Sequence, residues 1–280
     1  MPPKKLTIPD IRNRKNGTPI SVLTAYDYPW AKMVDAAGID IVLVGDSLGM
    51  VVLGYTDTVS VTMEEMLHHT KAVVRGVEHA LVVTDMPFGS YNSSIPAAIN
   101  NATRLLKEGR ADAVKLEGGV AMAPVVEAIV RAGIPVQGHI GLTPQTATSL
   151  GGFKVQGKSA QAAKQLLEDA QALEEAGCFS IVLEAIPAPL AEHITRNIGI
   201  PTIGIGAGLG CDGQVLVIHD LVGLYDRFTP KFAKQYAKIN EPIAAALAQY
   251  KAEVENRTFP TEAHSFTMKS EELDKLLELY

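Results

Sequence analysis

Asp46, Asp85, Glu117, His139 and Glu184 each follow a short apolar run: IVLVGD at 41–46, LVVTD at 81–85, AVKLE at 113–117, IPVQGH at 134–139 and FSIVLE at 179–184. A run such as Ile41–Val44 has no polar face, which is the pattern of a strand buried on both sides in a parallel sheet covered by helices. Ligands in such folds bind outside the carboxyl ends of the strands. The acids and the histidine are therefore expected on one rim.

Three carboxylates crowded together repel, and each raises the others' proton affinity. A hard divalent cation removes that cost, and oxygen-only ligands favour Mg²⁺ or Mn²⁺. Asp46, Asp85 and Glu117 are the candidate metal site. Lys115 lies two residues before Glu117, so both project to the same strand face. It can pair with an acid or hold a substrate carboxylate. His139 can donate to a ligand oxygen or support a developing charge. Glu184 remains once the metal is satisfied. Its sequence neighbours are apolar, and an acid in apolar surroundings suits a general base near neutral pH. Together these parts describe metal-assisted carbanion chemistry on a 2-oxo acid: the ketone is polarised, a base takes the neighbouring C–H proton, and the carbon attacks an electrophile.

Positioning such a set requires strands alternating with helices. The chain has 280 residues, and a (β/α)8 barrel runs to ~250 residues. Strands are predicted at 20–25, 39–44, 81–85, 113–117, 134–139, 179–184, 201–205 and 215–218, the last ending at His219–Asp220. Helices are predicted at 31–37, 62–77, 96–107, 121–132, 159–176, 189–197, 230–251 and 270–279. Thr62 with Glu65 forms a capping-box pattern. A short helix over 7–15, with Thr7 as cap, is expected to plug the barrel floor. The whole of 1–280 reads as one barrel domain with that helix in front and a helical tail behind. The loops 49–60 and 141–159 are long and contain glycine, as binding loops do. GIGAG at 204–208 has the look of a phosphate cradle or of backbone packed against a flat ligand. His68 and His69 are adjacent on a helix and point ~100° apart, so they are expected to be packed or solvated rather than joint ligands.

Composition narrows the partners. Hydrophobic residues make up 47% and charged residues 20%, with net charge −6. No basic cluster suggests nucleic acid, the N-terminus carries no apolar signal core, and no apolar stretch is long enough for a membrane span. Cys178 and Cys211 are expected to be reduced thiols in a cytoplasmic protein.

The motifs LTAYDYPWA (23–31), VGDSLGMVVLGYTDT (44–58), VVTDMPFGSY (82–91), VKLEGG (114–119), VQGHIGLTPQ (136–145), VLEAIP (182–187) and IGIGAG (203–208) closely resemble those of the ketopantoate hydroxymethyltransferase family across residues 4–260. The resemblance implies a TIM barrel of the phosphoenolpyruvate mutase and isocitrate lyase superfamily. It implies transfer of a one-carbon unit from 5,10-methylenetetrahydrofolate to 3-methyl-2-oxobutanoate, giving 2-dehydropantoate for pantothenate and coenzyme A. By motif, Asp46 and Asp85 become Mg²⁺ ligands, with Glu117 a further acid at the metal through water. Asp46, Ser47, Asp85 and Lys115 become substrate contacts, Glu184 the proton acceptor at C3, and His139 a lining residue. The family is typically a homodecamer of two pentameric rings. Two other readings remain: another Mg²⁺-dependent lyase or mutase of the superfamily, and a non-catalytic oligomeric binding protein on the same scaffold. Isocitrate lyases carry a KKCGH motif, which this chain lacks. A binding protein would have no need of a base at Glu184.

Overall fold

The computed structural model describes residues 4–149, 151–225 and 230–279. Met1–Pro3, read above for a signal, and Leu150, within the 141–159 loop, lie outside them. Eight parallel strands close into a barrel in chain order: β1 (Ile20–Thr24), β2 (Ile41–Val44), β3 (Leu81–Asp85), β4 (Ala113–Glu117), β5 (Val136–Gly141), β6 (Ser180–Glu184), β7 (Thr202–Ile205) and β8 (Gly213–Leu216). The closing pair is β1 with β8, in register at Ile20 with Gly213.

Side chains alternate along each strand, and the alternation divides the core in two. Outward residues such as Val42, Val44, Val82, Val114 and Leu116 pack under the surrounding helices. Inward residues Ile20, Val22, Ile41, Leu43, Leu81, Val83, Ala113, Phe179 and Ile203 fill the lower barrel. The same inward faces turn polar as they rise: Asp85 follows Leu81 and Val83, while Lys115 and Glu117 follow Ala113. An apolar floor beneath a charged rim is thus written into the strands' two-residue period.

Helix α1 (Ile8–Arg12) starts at Thr7, whose N–H and hydroxyl both reach the Asp10 carboxylate. Ile11 is fully buried among the inward strand residues. The plug is locked from behind: Lys15 Nζ lies 2.9 Å from Asp212 Oδ2 and donates to the Thr195 carbonyl at 2.6 Å, while Asn16 N–H donates to Asp212 Oδ1 at 2.9 Å. α2 (Tyr28–Ala36), α3 (Leu48–Val51) and α4 (Met63–Gly76) follow, α4 with its Thr62–Glu65 capping box in place. Next come α5 (Ile95–Lys107), α6 (Ala123–Arg131), α7 (Ala160–Glu175) and α8 (Ala188–Asn197). His69 Nδ1 sits 2.6 Å from the Tyr26 carbonyl, so this histidine is packed. Cys178 and Cys211 are free thiols. Among the described residues no helix is long and apolar enough to cross a membrane.

Two predicted elements differ in what they position. The eighth strand ends at Leu216 rather than Ile218, because Ile218 N–H donates to Thr24 Oγ1 at 2.9 Å instead of continuing the ladder. His219 and Asp220 therefore sit on a short helix, α9 (Ile218–Leu221). The helix predicted at 230–251 starts ten residues late, as α10 (Asn240–Glu255). The residues before it have their N–H groups taken elsewhere: Tyr236 donates to Leu221 O and Ile239 to Val222 O. A last helix, α11 (Ser270–Leu277), follows.

Candidate active site

Register brings the chemistry-bearing residues to one rim. Asp85 on β3 pairs in register with Lys115 on β4, Glu117 with His139 on β5, and Gly141 with Glu184 on β6. Asp46 lies two residues past β2, where the Asp46 N–H donates to Asp85 Oδ2 at 3.0 Å. Asp46, Ser47, Asp85, Lys115, Glu117, His139 and Glu184 all line one cavity of about 550 Å³. Every residue singled out by type and spacing is thus brought together. β5 runs on to Gly141, so His139 stands inside its strand rather than at the end.

The contacts form a chain. Lys115 Nζ is 3.0 Å from Asp85 Oδ1 and 3.3 Å from His139 Nδ1. An ammonium only donates, so Nδ1 accepts, and the ring proton belongs on Nε2. His139 Nε2 lies 3.1 Å from Glu184 Oε2. Burial, then the Lys115 charge, holds the His139 imidazole below its ordinary pKa, so the ring is neutral at pH 7. Burial alone would lower Lys115, but Asp85, Glu117 and Asp46 outweigh it and its pKa is raised. Glu184 is less buried than these neighbours, with 15% of its side chain exposed, and it lies within ion-pair distance of His139 Nε2. The apolar neighbours expected for it are present in part: Leu183 points outward into the helix layer, but Val182 shares its inward face and Ile205 is its register partner, while His139 adds a polar contact.

The carboxylates differ in ease of ionisation. Burial, then Asp85, pushes Asp46 up to about 7; burial, then Asp46, pushes Glu117 well above the usual carboxylate range. At the strand ends four acids, Asp46, Asp85, Glu117 and Glu184, stand with one lysine, Lys115, and one neutral histidine; Asp220, Lys154 and Lys231 also line the cavity, and acids still outnumber lysines. Among the described residues no three His, Cys, Asp or Glu side chains stand as a ready ligand set. Their oxygens are turned to other groups: Gln145 Nε2 donates to Asp46 Oδ2 at 2.8 Å, and Gln145 N–H donates to Glu117 Oε2 at 3.1 Å. The donor chemistry nonetheless fits Mg²⁺, which is commonly held by one or two carboxylates and completed by waters and substrate oxygens. The uncompensated negative charge is the observation that favours a cation here.

The cavity mouth is apolar and aromatic. Phe153 and Val155 come from the 141–159 loop, Met50 and Val51 from the start of the 49–60 loop, and Phe232 from the segment before α10. Both long loops therefore wall the cavity. Gly206 has φ +64°, and a Cβ there would meet the Phe232 ring at 2.8 Å. Gly204 and Gly208 likewise lie against side chains, those of Cys211 and Gln214 and of Ala188. Tyr26 was not singled out from the sequence, yet its hydroxyl lies 2.8 Å from Ser47 Oγ. Tyr91 and Gln145 were also missed. Both close quoted motifs, VVTDMPFGSY and VQGHIGLTPQ, but neither follows an apolar run, so position gave no signal.

With this geometry in place, comparison with known proteins decides the kinship. The family model described as ketopantoate hydroxymethyltransferase matches residues 5–262. The chain belongs to the ketopantoate hydroxymethyltransferase family. One curated member, the 3-methyl-2-oxobutanoate hydroxymethyltransferase of Heliobacterium modesticaldum, is 62% identical over 269 residues, covering 96% of this chain and 98% of that protein. The protein of the same name from Enterococcus faecalis is 55% identical over 266 residues, covering 95% of each. Among solved structures, a phosphoenolpyruvate phosphomutase from Streptomyces platensis subsp. rosaceus aligns with TM-score 0.61 at 15% identity, covering 98% of both chains. A 2,3-dimethylmalate lyase, a member of the PEP mutase/isocitrate lyase superfamily, aligns with TM-score 0.58 at 14% identity, covering 98% of this chain and 100% of that one. The family thus shares its barrel with that superfamily.

Proposed function

We propose that the protein transfers a hydroxymethyl group from 5,10-methylenetetrahydrofolate to 3-methyl-2-oxobutanoate, with water, giving 2-dehydropantoate and tetrahydrofolate in pantothenate and coenzyme A synthesis. The observation that carries this reading is the run Asp85–Lys115–His139–Glu184 across the cavity floor. Asp46 and Asp85 would hold Mg²⁺, with Glu117 reaching it through water. A bound Mg²⁺ would polarise the 2-oxo group and offset the charge of the enolate. Lys115 and Ser47 bind the substrate's carboxylate and oxo oxygens. Glu184 takes the C3 proton. His139, whose Nε2 lies 3.1 Å from Glu184 Oε2, stands beside that carboxylate. The aromatic mouth formed by Phe153 and Phe232 suits a flat second substrate and limits water at the enolate.

Deuterium exchange at C3 of 3-methyl-2-oxobutanoate in D₂O, followed by NMR without folate, tests the enolising half. Exchange that requires Mg²⁺ is expected. Absence of both exchange and product, with both substrates present, would sink the proposal.

A pH dependence follows from Asp46, raised to about 7 by burial and by Asp85. The native carboxyl binds a proton that the unfolded chain has already lost between the ordinary carboxylate range and about 7. Stability of the metal-free protein therefore falls through this group as pH rises across that window. Mg²⁺ competes with the same proton, so its affinity rises across the same window. Calorimetric titrations at pH 6 and pH 8 should show tighter binding at pH 8, with more proton release at pH 6.

Self-association belongs to this proposal. α10 has no buried residue, and Ile243, Leu247, Tyr250 and Val254 leave an apolar stripe bare along it. A homo-oligomer, a decamer in the family's manner, would cover it; a monomeric mass by light scattering would remove this part. The free thiols support a reducing, cytoplasmic setting.

A further inference from the structure

The side-chain amide of Gln145 has no place in the chemistry above, yet it is 4% exposed and fully bonded. Nε2 donates to Asp46 Oδ2 at 2.8 Å and to the Met86 carbonyl at 2.9 Å. Oε1 accepts from the Tyr91 hydroxyl at 2.6 Å. Its main-chain N–H donates to Glu117 Oε2 at 3.1 Å, and Tyr91 Oη in turn accepts the Glu117 N–H at 3.3 Å. The orientation of the amide is determined by its partners. A carbonyl and a carboxylate only accept, so the nitrogen must face Met86 and Asp46, and the tyrosine must donate to Oε1. A single residue, four positions beyond β5, thereby ties together the ends of β2, β3 and β4. Asp46 Oδ1 has no hydrogen-bond partner among the described residues, so one oxygen of that carboxylate is clamped and the other is left toward the cavity.

We propose that Gln145, oriented by Tyr91, is a positioning residue for the metal site: it holds one oxygen each of Asp46 and Glu117 so that the remaining oxygens present a preset geometry to a divalent cation. This rests on the magnesium reading above. Partners behind metal ligands are typically worth ~10–100-fold in metal affinity. Gln145→Met keeps the volume and deletes both side-chain donors. Tyr91→Phe keeps Gln145 but frees its amide to turn.

The test is calorimetric titration of Mg²⁺ alone into wild type, Gln145→Met, Tyr91→Phe and Asp85→Ala, with Tm measured in EDTA. Gln145→Met is expected to weaken Mg²⁺ binding by ~10–100-fold, and Tyr91→Phe to weaken it in the same direction by less. A merely structural role would lower Tm in EDTA and leave Mg²⁺ affinity within ~5-fold of wild type; that result overturns the inference while loss of binding in Asp85→Ala leaves the magnesium reading standing. A wild type that binds no Mg²⁺ overturns both. If Gln145→Met does not fold, Tyr91→Phe decides, and unchanged affinity there overturns the inference.

Discussion

Glu184→Gln is expected to slow C3 deuterium exchange and overall turnover by ~10²–10⁴-fold, the range in which a positioned proton acceptor contributes, with Mg²⁺ and oxo-acid affinity near wild type. The reason is specific to its place. Glu184 sits on the same rim as the acids proposed to hold the metal, but its ion-pair contact is with His139 Nε2. A glutamine keeps the volume but has no carboxylate to take a substrate proton. Isothermal titration of substrate and metal, beside the NMR exchange rate, checks both halves. Near-normal exchange would remove Glu184 as the base. Loss of substrate binding equal to the loss of rate would make it a binding residue instead.

Asp85→Ala carries the second large effect, and it is double. Asp85 is the ion partner of Lys115 and the acceptor for the Asp46 N–H. Removing it leaves an ammonium buried at the barrel's centre among raised, reluctant acids, and breaking a buried pair in this way costs ~3–5 kcal/mol. Mg²⁺ affinity should also fall by more than the ~100-fold that a supporting residue can account for. The two effects separate in Asp85→Asn, whose amide oxygen still accepts from Asp46. That variant should keep more of the stability and still lose the metal. Unchanged Mg²⁺ titration in both variants would end the carboxylate-site reading.

The rim was legible because strand period and apolar runs are local. Leu81, Val83 and Asp85 share a face by counting alone, and the same count places Lys115 with Glu117. What lay beyond reach was set by contacts distant in the chain. Gln145 matters because it meets Asp46, 99 positions away, and Tyr91, 54 away. Strand eight stops where Ile218 finds the Thr24 hydroxyl, 194 positions back. The helix predicted from 230 was lost to carbonyls at Leu221 and Val222, which no propensity reports. The surroundings of Glu184 were legible only in part for a related reason: Val182 shares its strand face by counting, but its polar contact, His139, belongs to the adjacent strand.

Ile11 and the inward apolar side chains pack the barrel beneath the charged rim, so nothing reaches Asp85, Lys115 and Glu184 by way of the barrel's interior. On the proposed reading the oxo acid would enter from the side that Phe153 and Phe232 line, and a flat second substrate held against those rings would stand over it like a stopper.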